Sequence, residues 1–418
     1  MAAPTIPNGE TQFFPIIYEG NGTGQRVGKF VPFTDNGTIA NSLIFNDGDS
    51  PYMRRTPSGA GNRKTFTISF WVKRCQLGVL QVIITQGADH NNASSISFSS
   101  SNELNFAHND SGSTTYSVKT NRTFEDTSKF YHILASVDTT QSTASDRVKL
   151  YVDGDLITSF ASSSYPSQDF DLDFNSTGTV AVSGQIPSGT LFPFDGYLTE
   201  INLVDGSALT PDTFGLTDTS TGRWIPKALT GITYGTNGFR LQFGTSSALG
   251  DDTSGNTNDF GTVSGLVAGD QTTDSPTQNH ATINPSTASN GSMTFAEGNL
   301  NVEMNNAYPG NVLGTLGASS GKYYWEVTLS GTGSSANGYA TGVGVAEWSK
   351  LNSDPGSTTS PFSSYIDSRG YYFHNGTNIS SSTTFTAGDV IGIALNLDDS
   401  EISYFKNNTI VGSAQPLV

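Results

Sequence analysis

Cysteine is almost missing from this 418-residue chain, which has one, Cys75. A single thiol excludes an intrachain disulfide framework and a multi-cysteine zinc site, so Cys75 reads as a small residue at a strand end. Charge is scarce as well. Only 14% of residues are charged, against about 25% in an ordinary globular protein. Twenty basic residues face 37 acidic ones, leaving a formal net charge of −17. That balance excludes any role resting on clustered Lys and Arg against phosphates, so no nucleic-acid partner is expected. Long apolar runs are missing too. The most apolar stretch, Val79 to Ile84, falls far short of the ~20 residues that a membrane helix needs, so no membrane insertion is expected. Met1 to Glu10 lack a basic region followed by an apolar core, which predicts no secretory signal there. Helical periodicity is nearly absent, since no apolar stripe at i, i+3, i+4, i+7 holds for three turns.

What is present is alternation. Phe66 to Val72 (FTISFWV), Tyr131 to Val137 and Arg147 to Val152 each run apolar–polar with a period of two, the signature of half-buried strands. Asp153-Gly154 separates the last of these from Asp155 to Thr158, and Asn407-Asn408 separates two later runs. Such pairs favour the two positive φ values of a type I′ hairpin turn. Strands then recur at sandwich-like spacing through two series, with 46 glycines and abundant Ser, Thr and Asn between them. The fold class that follows is all-β: two antiparallel β-sandwich, jelly-roll-like domains with an irregular N-terminal arm. The domains read as an arm over 1–38, a first sandwich over 39–216, a polar connector with a returning strand over 217–285, and a second sandwich over 286–418. The arm's aromatics, Phe13, Phe14, Tyr18, Phe30 and Phe33, need a surface to bury against, and an arm that short cannot supply its own. A protein partner is therefore expected there.

The first series resembles a concanavalin-A-like, laminin-G-type sandwich. The resemblance is carried by Ser42-Leu43-Ile44-Phe45-Asn46-Asp47-Gly48-Asp49, the Phe66 to Val72 strand, Val148 to Gly154, and Phe194-Asp195-Gly196-Tyr197-Leu198-Thr199-Glu200-Ile201. The second series is similar to a SPRY domain through Lys322-Tyr323-Tyr324-Trp325-Glu326-Val327, Gly342 to Ala346, Asp389 to Leu395 and Ile402 to Asn408. A SPRY sheet has further strands after that hairpin, so the second sandwich reads as incomplete at its C-terminal side. With Pro51-Tyr52-Met53-Arg54-Arg55-Thr56-Pro57 and Tyr234 to Phe239, the tandem order resembles virion proteins of tailed marine bacteriophages. That resemblance implies a tail- or head-fibre-like appendage on the particle surface. It implies virion proteins as partners of the arm, and host surface glycan or protein as the partner of the sandwich loops. It also implies a homo-oligomer, for which a trimer is the common fibre form, although no residue pattern here fixes three copies. The alternative is a purely structural decoration or connector protein contacting virion neighbours, and a polysaccharide hydrolase is the lesser reading.

Chemistry is thinly represented. Glycoside hydrolysis needs two carboxyls about 5–10 Å apart, and the glucanase relatives of the concanavalin fold carry Glu-x-Asp-x-x-Glu on one strand. After Glu200 the motif's central Asp is replaced by Asn202, although Asp205 stands in its last place, and Glu326 has no acidic neighbour within five residues. No catalytic residue is assigned, and the chain reads as a non-enzyme. Asp251, Asp252, Ser254, Asn256, Asn258 and Asp259 crowd oxygen donors around Gly255, the pattern of a calcium loop or of a tight Asx-rich turn. Calcium is the one cofactor expected. For sugar, Tyr165, Phe170, Phe362, Tyr365, Tyr371 and Tyr372 read as loop-borne aromatics among polar residues.

Overall fold

The computed structural model describes residues 37–184, 192–288, 293–304, 310–331, 342–346, 363–374 and 377–417. The expected arm, with Phe13, Phe14, Tyr18, Phe30 and Phe33, and the candidate Phe362 lie outside them. The described residues divide into a larger unit that runs to residue 304 and takes in Val312–Leu316, and a smaller one that holds residues 310–311 and everything from Gly317 onward. Among them no helix is long and apolar enough to cross a membrane.

In the larger unit the alternating runs become strands. They are β1 (Ser42–Phe45), β2 (Tyr52–Arg55), β3 (Thr65–Arg74), β4 (Gln81–Asp89), β5 (Asn92–Phe98), β6 (Glu103–Asp110) and β7 (Ser113–Thr123). After them come β8 (Tyr131–Asp138), β9 (Val148–Val152), β10 (Asp155–Leu156), β11 (Phe160–Ser164), β12 (Thr179–Val182) and β13 (Gly196–Asp205). One sheet has the order β10-β9-β8-β3-β13-β1, extended by Gln271–Thr272 beside β1. The other runs β11-β7-β6-β5-β4-β12-β2, extended by Thr262–Ser264 beside β2. Phe66, Ile68, Phe70 and Val72 share one face of β3 and meet Ile84, Ile96, Phe98, Phe106 and Val118 of the second sheet, all wholly buried. Each such side chain stabilises the fold by about 1.5–3 kcal/mol through leaving water. This is an all-β sandwich, as the periodicity requires. Asp153 and Gly154 both take positive φ (52° and 87°), as do Asn407 and Asn408 (48° and 69°), so both hairpins form at the expected turns.

Residues 217–285 do more than connect. They add Phe239–Leu241 to β13, Thr262–Ser264 to β2 and Gln271–Thr272 to β1. The hairpin of Met293–Ala296 and Asn301–Met304 also belongs to this larger unit, so the division falls later than residue 286. Its turn is held by the Tyr197 hydroxyl, which donates to the Gly298 carbonyl at 2.7 Å. Cys75, one residue past β3, is wholly buried, and its backbone N–H donates to the Asp195 carbonyl.

In the smaller unit Lys322–Thr328, Val390–Asn396, Glu401–Lys406 and Thr409–Pro416 form one antiparallel sheet. Gly342–Ala346, Ser363–Asp367, Tyr371–His374 and Thr377–Ser380 form another. Ile366 and Tyr372 from the second join Ile391, Ile393, Ile402, Tyr404 and Val411 from the first in one buried core.

Candidate functional site

β3 and β13 lie side by side, and their outward side chains do not face open solvent. The pairing runs Thr199 with Trp71 and Asn202 with Ser69, so β13 carries one residue more than β3 between those points. The extra residue is a β-bulge at Glu200, which sits at φ 49°, a conformation that costs a side-chain-bearing residue energy and recurs beside functional sites. The bulge lets Leu198 and Ile201 both face the core. Glu200 meanwhile joins Ser69, Trp71, Asn202 and Arg240 in lining a cleft of about 210 Å³, walled by Thr38, Ile39 and residues 226–229.

The polar groups of this cleft are tied to one another. Arg240 donates through Nε to Glu200 Oε2 at 2.8 Å and through Nη2 to Oε1 at 2.9 Å, while Gln242 Nε2 reaches Oε1 at 2.9 Å. Asn202 Nδ2 donates to the Glu200 carbonyl, and the Tyr234 hydroxyl donates to Asn202 Oδ1 at 2.7 Å. Behind Trp71 lies His132, with ring centroids 4.8 Å apart. Trp224 Nε1 donates to His132 Nδ1 at 3.1 Å, which assigns the ring proton to Nε2, 2.8 Å from Ser69 Oγ. The imidazole therefore donates to the serine instead of deprotonating it. Burial pushes His132 down to about 3, which keeps the ring neutral. The cleft offers an aromatic wall in Trp71 and Phe214 beside a neutralised ion pair, Glu200 with Arg240.

The sugar-binding candidates fall elsewhere. Tyr165 packs partly buried on the core of the larger unit, and burial raises its phenol. Phe170 sits edge-on to His108 and Tyr116, at 5.4 and 5.3 Å between centroids. Tyr365, Tyr371 and Tyr372 belong to the smaller unit and lie in strands instead of loops. Tyr365 stacks on Phe373 at 4.6 Å. Tyr372 is buried against Tyr404, and its hydroxyl donates to the Val411 carbonyl, so it is a core residue. Of these five only Tyr371 is exposed, with the Arg369 guanidinium 5.6 Å from its ring centre.

In the oxygen-rich loop the side-chain donors are engaged with the loop itself and its neighbours. Asp252 Oδ1 accepts the backbone N–H groups of Arg240 and Ser254, and Oδ2 accepts Ser254 Oγ and the Asn258 N–H, all at 2.8 Å. Asp259 Oδ1 accepts the Asp252 N–H. The amides of Asn256 and Asn258 donate to the carbonyls of Gly235, Thr236 and Gly238, and Asn258 Oδ1 accepts from the Arg55 guanidinium. Asp251 is exposed and takes no part. These contacts close an Asx-rich turn, with the Arg55 guanidinium on Asn258 Oδ1. Among the described residues no group of three His, Cys, Asp or Glu side chains could hold a metal ion.

Sequence reasoning missed the cleft, although one signal was readable. The apolar phase slips by one residue between Leu198 and Ile201, which marks a bulge that re-aims Glu200.

Comparison with known proteins bears on the two units separately. No curated protein sequence matches the chain. In fold it is similar to a heptameric SAP-like pentraxin from Limulus polyphemus, at 16% identity over 47% of this chain and 91% of that one, with a TM-score of 0.32. It is likewise similar to a structure described as a putative carbohydrate binding protein from Bacteroides ovatus, at 14% identity over 48% of this chain and 55% of that one, TM-score 0.30. Domains LG4-5 of the mouse laminin alpha1 chain match at 11% identity over 49% of this chain and 48% of that one, TM-score 0.29. Family models match residues 47–213, as the concanavalin A-like lectin/glucanases superfamily, and residues 322–415, as a SPRY domain. The chain thus carries a concanavalin A-like domain and a SPRY domain in tandem.

Proposed function

We propose that this chain is a non-catalytic, glycan-binding appendage protein of a tailed-phage particle, tail- or head-fibre-like, displayed at the virion surface. In this reading residues 1–38 attach it to other virion proteins, and the concanavalin A-like domain holds host surface glycan. The particle assignment rests on the resemblance of the tandem domain order, and several copies displayed together would strengthen weak single contacts by avidity. The superfamily matched by residues 47–213 is described as holding both lectins and glucanases. One observation favours the first. Among the described residues Glu200 is the only carboxylate lining the cleft, and both its oxygens are engaged by Arg240 and Gln242. A glycosidase needs two carboxyls free to exchange a proton and attack a sugar carbon.

The test is an array of host surface polysaccharides probed with the whole chain and with Ala228→Trp, which fills the cleft from its wall. The expected result is reproducible binding, weakened at least tenfold by the substitution at unchanged melting temperature. Absence of binding to every host polysaccharide would favour a structural virion protein instead, and a fall in polysaccharide viscosity on incubation would overturn the non-catalytic reading.

A further inference from the structure

A second site lies on the other sheet. β2 is bounded by β12 and by Thr262–Ser264. Met53 faces the core, so Tyr52 and Arg54 share the opposite face, and the Arg54 guanidinium carbon stands 4.2 Å from the Tyr52 ring centre. Stacking alone holds this cation. Arg54 makes no hydrogen bond or ion pair with any described residue. Its Nε is buried without a partner, and the residue as a whole is half-buried. Arg55 beside it is differently placed. Its guanidinium donates to the Asn237 carbonyl at 3.2 Å and to Asn258 Oδ1 at 2.5 Å, with Asp252 and Asp259 as nearby charges.

The two arginines border an open groove of about 390 Å³ whose exposed hydroxyls come from Thr56, Ser58, Thr257 and Thr262. Among the described residues Asp259 is the only carboxylate lining it, so the lining carries two Arg against one Asp, with Asp252 beside Arg55, in a chain of −17. A stacked guanidinium with its planar fork unfilled suits a flat or tetrahedral oxyanion. The surrounding hydroxyls suit a ligand that is itself hydroxylated.

We infer that this groove binds the anionic substituent, carboxylate or sulfate ester, of an acidic polysaccharide, with Arg54 as the residue that engages the charge. The inference rests on the glycan-binding reading above but concerns a separate site. The experiment titrates the whole chain with alginate oligosaccharides, dextran sulfate and neutral dextran at low and high salt. Expected are binding to one or both anionic probes, weakening with salt, no binding to dextran, and a loss of at least tenfold in Arg54→Gln with partial retention in Arg54→Lys. The two anionic arms identify the substituent. Because Arg54 makes no hydrogen bond, its substitution leaves the melting temperature in place. Equal binding by Arg54→Gln, equal binding of dextran, or no binding of either anionic probe overturns the inference. Ala228→Trp leaves this binding unchanged, so a failure here stays distinct from a failure of the cleft.

Discussion

Asp195 is a carboxylate buried against its own charge. It is 5% exposed, its Oδ1 has no hydrogen-bond partner, and Asp47 lies beside it. Burial first, then the charge and hydrogen bond of Asp47, push it up to about 8. Below the usual carboxylate range the folded and unfolded chains both hold this proton. Between about 4 and 8 the unfolded chain releases it while the folded chain keeps it. Asp195 therefore takes stability away as pH rises through that window. His132 works in the other direction: neutral in the fold down to about 3, it loses stability as pH falls below the unfolded value of 6.5. Comparing Asp195→Asn with the parent at one pH cancels the histidine. The substitution is expected to leave the urea midpoint nearly unchanged at pH 4 and to raise stability at pH 9 by more than ~1.4 kcal/mol, the value of a single pKa unit. An equal effect at both pH values would show that packing, not the proton, decides. None of this was legible beforehand, because Asp195-Gly196 in the sequence reads only as a break in a strand.

Elements differ in how openly they announce themselves. β3 and β8 alternate cleanly, because one face of each is core. The strands of residues 217–285 are two or three residues long, too short to alternate, and tertiary hydrogen bonds fix them instead. Lys73 supplies one of these ties. Wholly buried on the outer face of β3, its ammonium donates to Asp274 Oδ2 at 2.9 Å, Asn279 Oδ1 at 3.0 Å and the His280 carbonyl at 2.9 Å. A lysine at a strand end reads from sequence as solvated, and its partners lie some two hundred residues away. Asp274→Ala leaves that ammonium buried without its counter-ion, and a loss of about 3–5 kcal/mol is expected. In Lys73→Met/Asp274→Leu the charge is gone from both sides, and most of the loss is expected to disappear. Chemical denaturation of both variants decides the matter, and an equal loss in the two would assign the effect to packing.

At the scale of the molecule the tandem organisation was legible in the sequence, because each sandwich repeats the alternating run and polar turn that any all-β domain needs. The candidate loops were not, because aromatic residues among Ser and Asn look alike whether they end in a strand's core, as Tyr372 does, or on its surface, as Tyr371 does. The two cores share no residue. Calorimetry on the whole chain is therefore expected to show two transitions. Phe106→Ala opens a cavity in one core and Ile393→Ala in the other. Each is expected to lower its own transition by about 2–5 kcal/mol and to leave the other in place. A single transition moved by both would make the chain one cooperative block. The same scans weigh calcium. A bound ion stabilises only the state that binds it, yet the Asp252 oxygens are already taken by backbone and side-chain donors and Arg55 occupies Asn258. Neither transition should move between calcium and a chelator. A downward shift of the larger unit alone on chelation would show that the Asp251 to Asp259 turn opens to hold the ion.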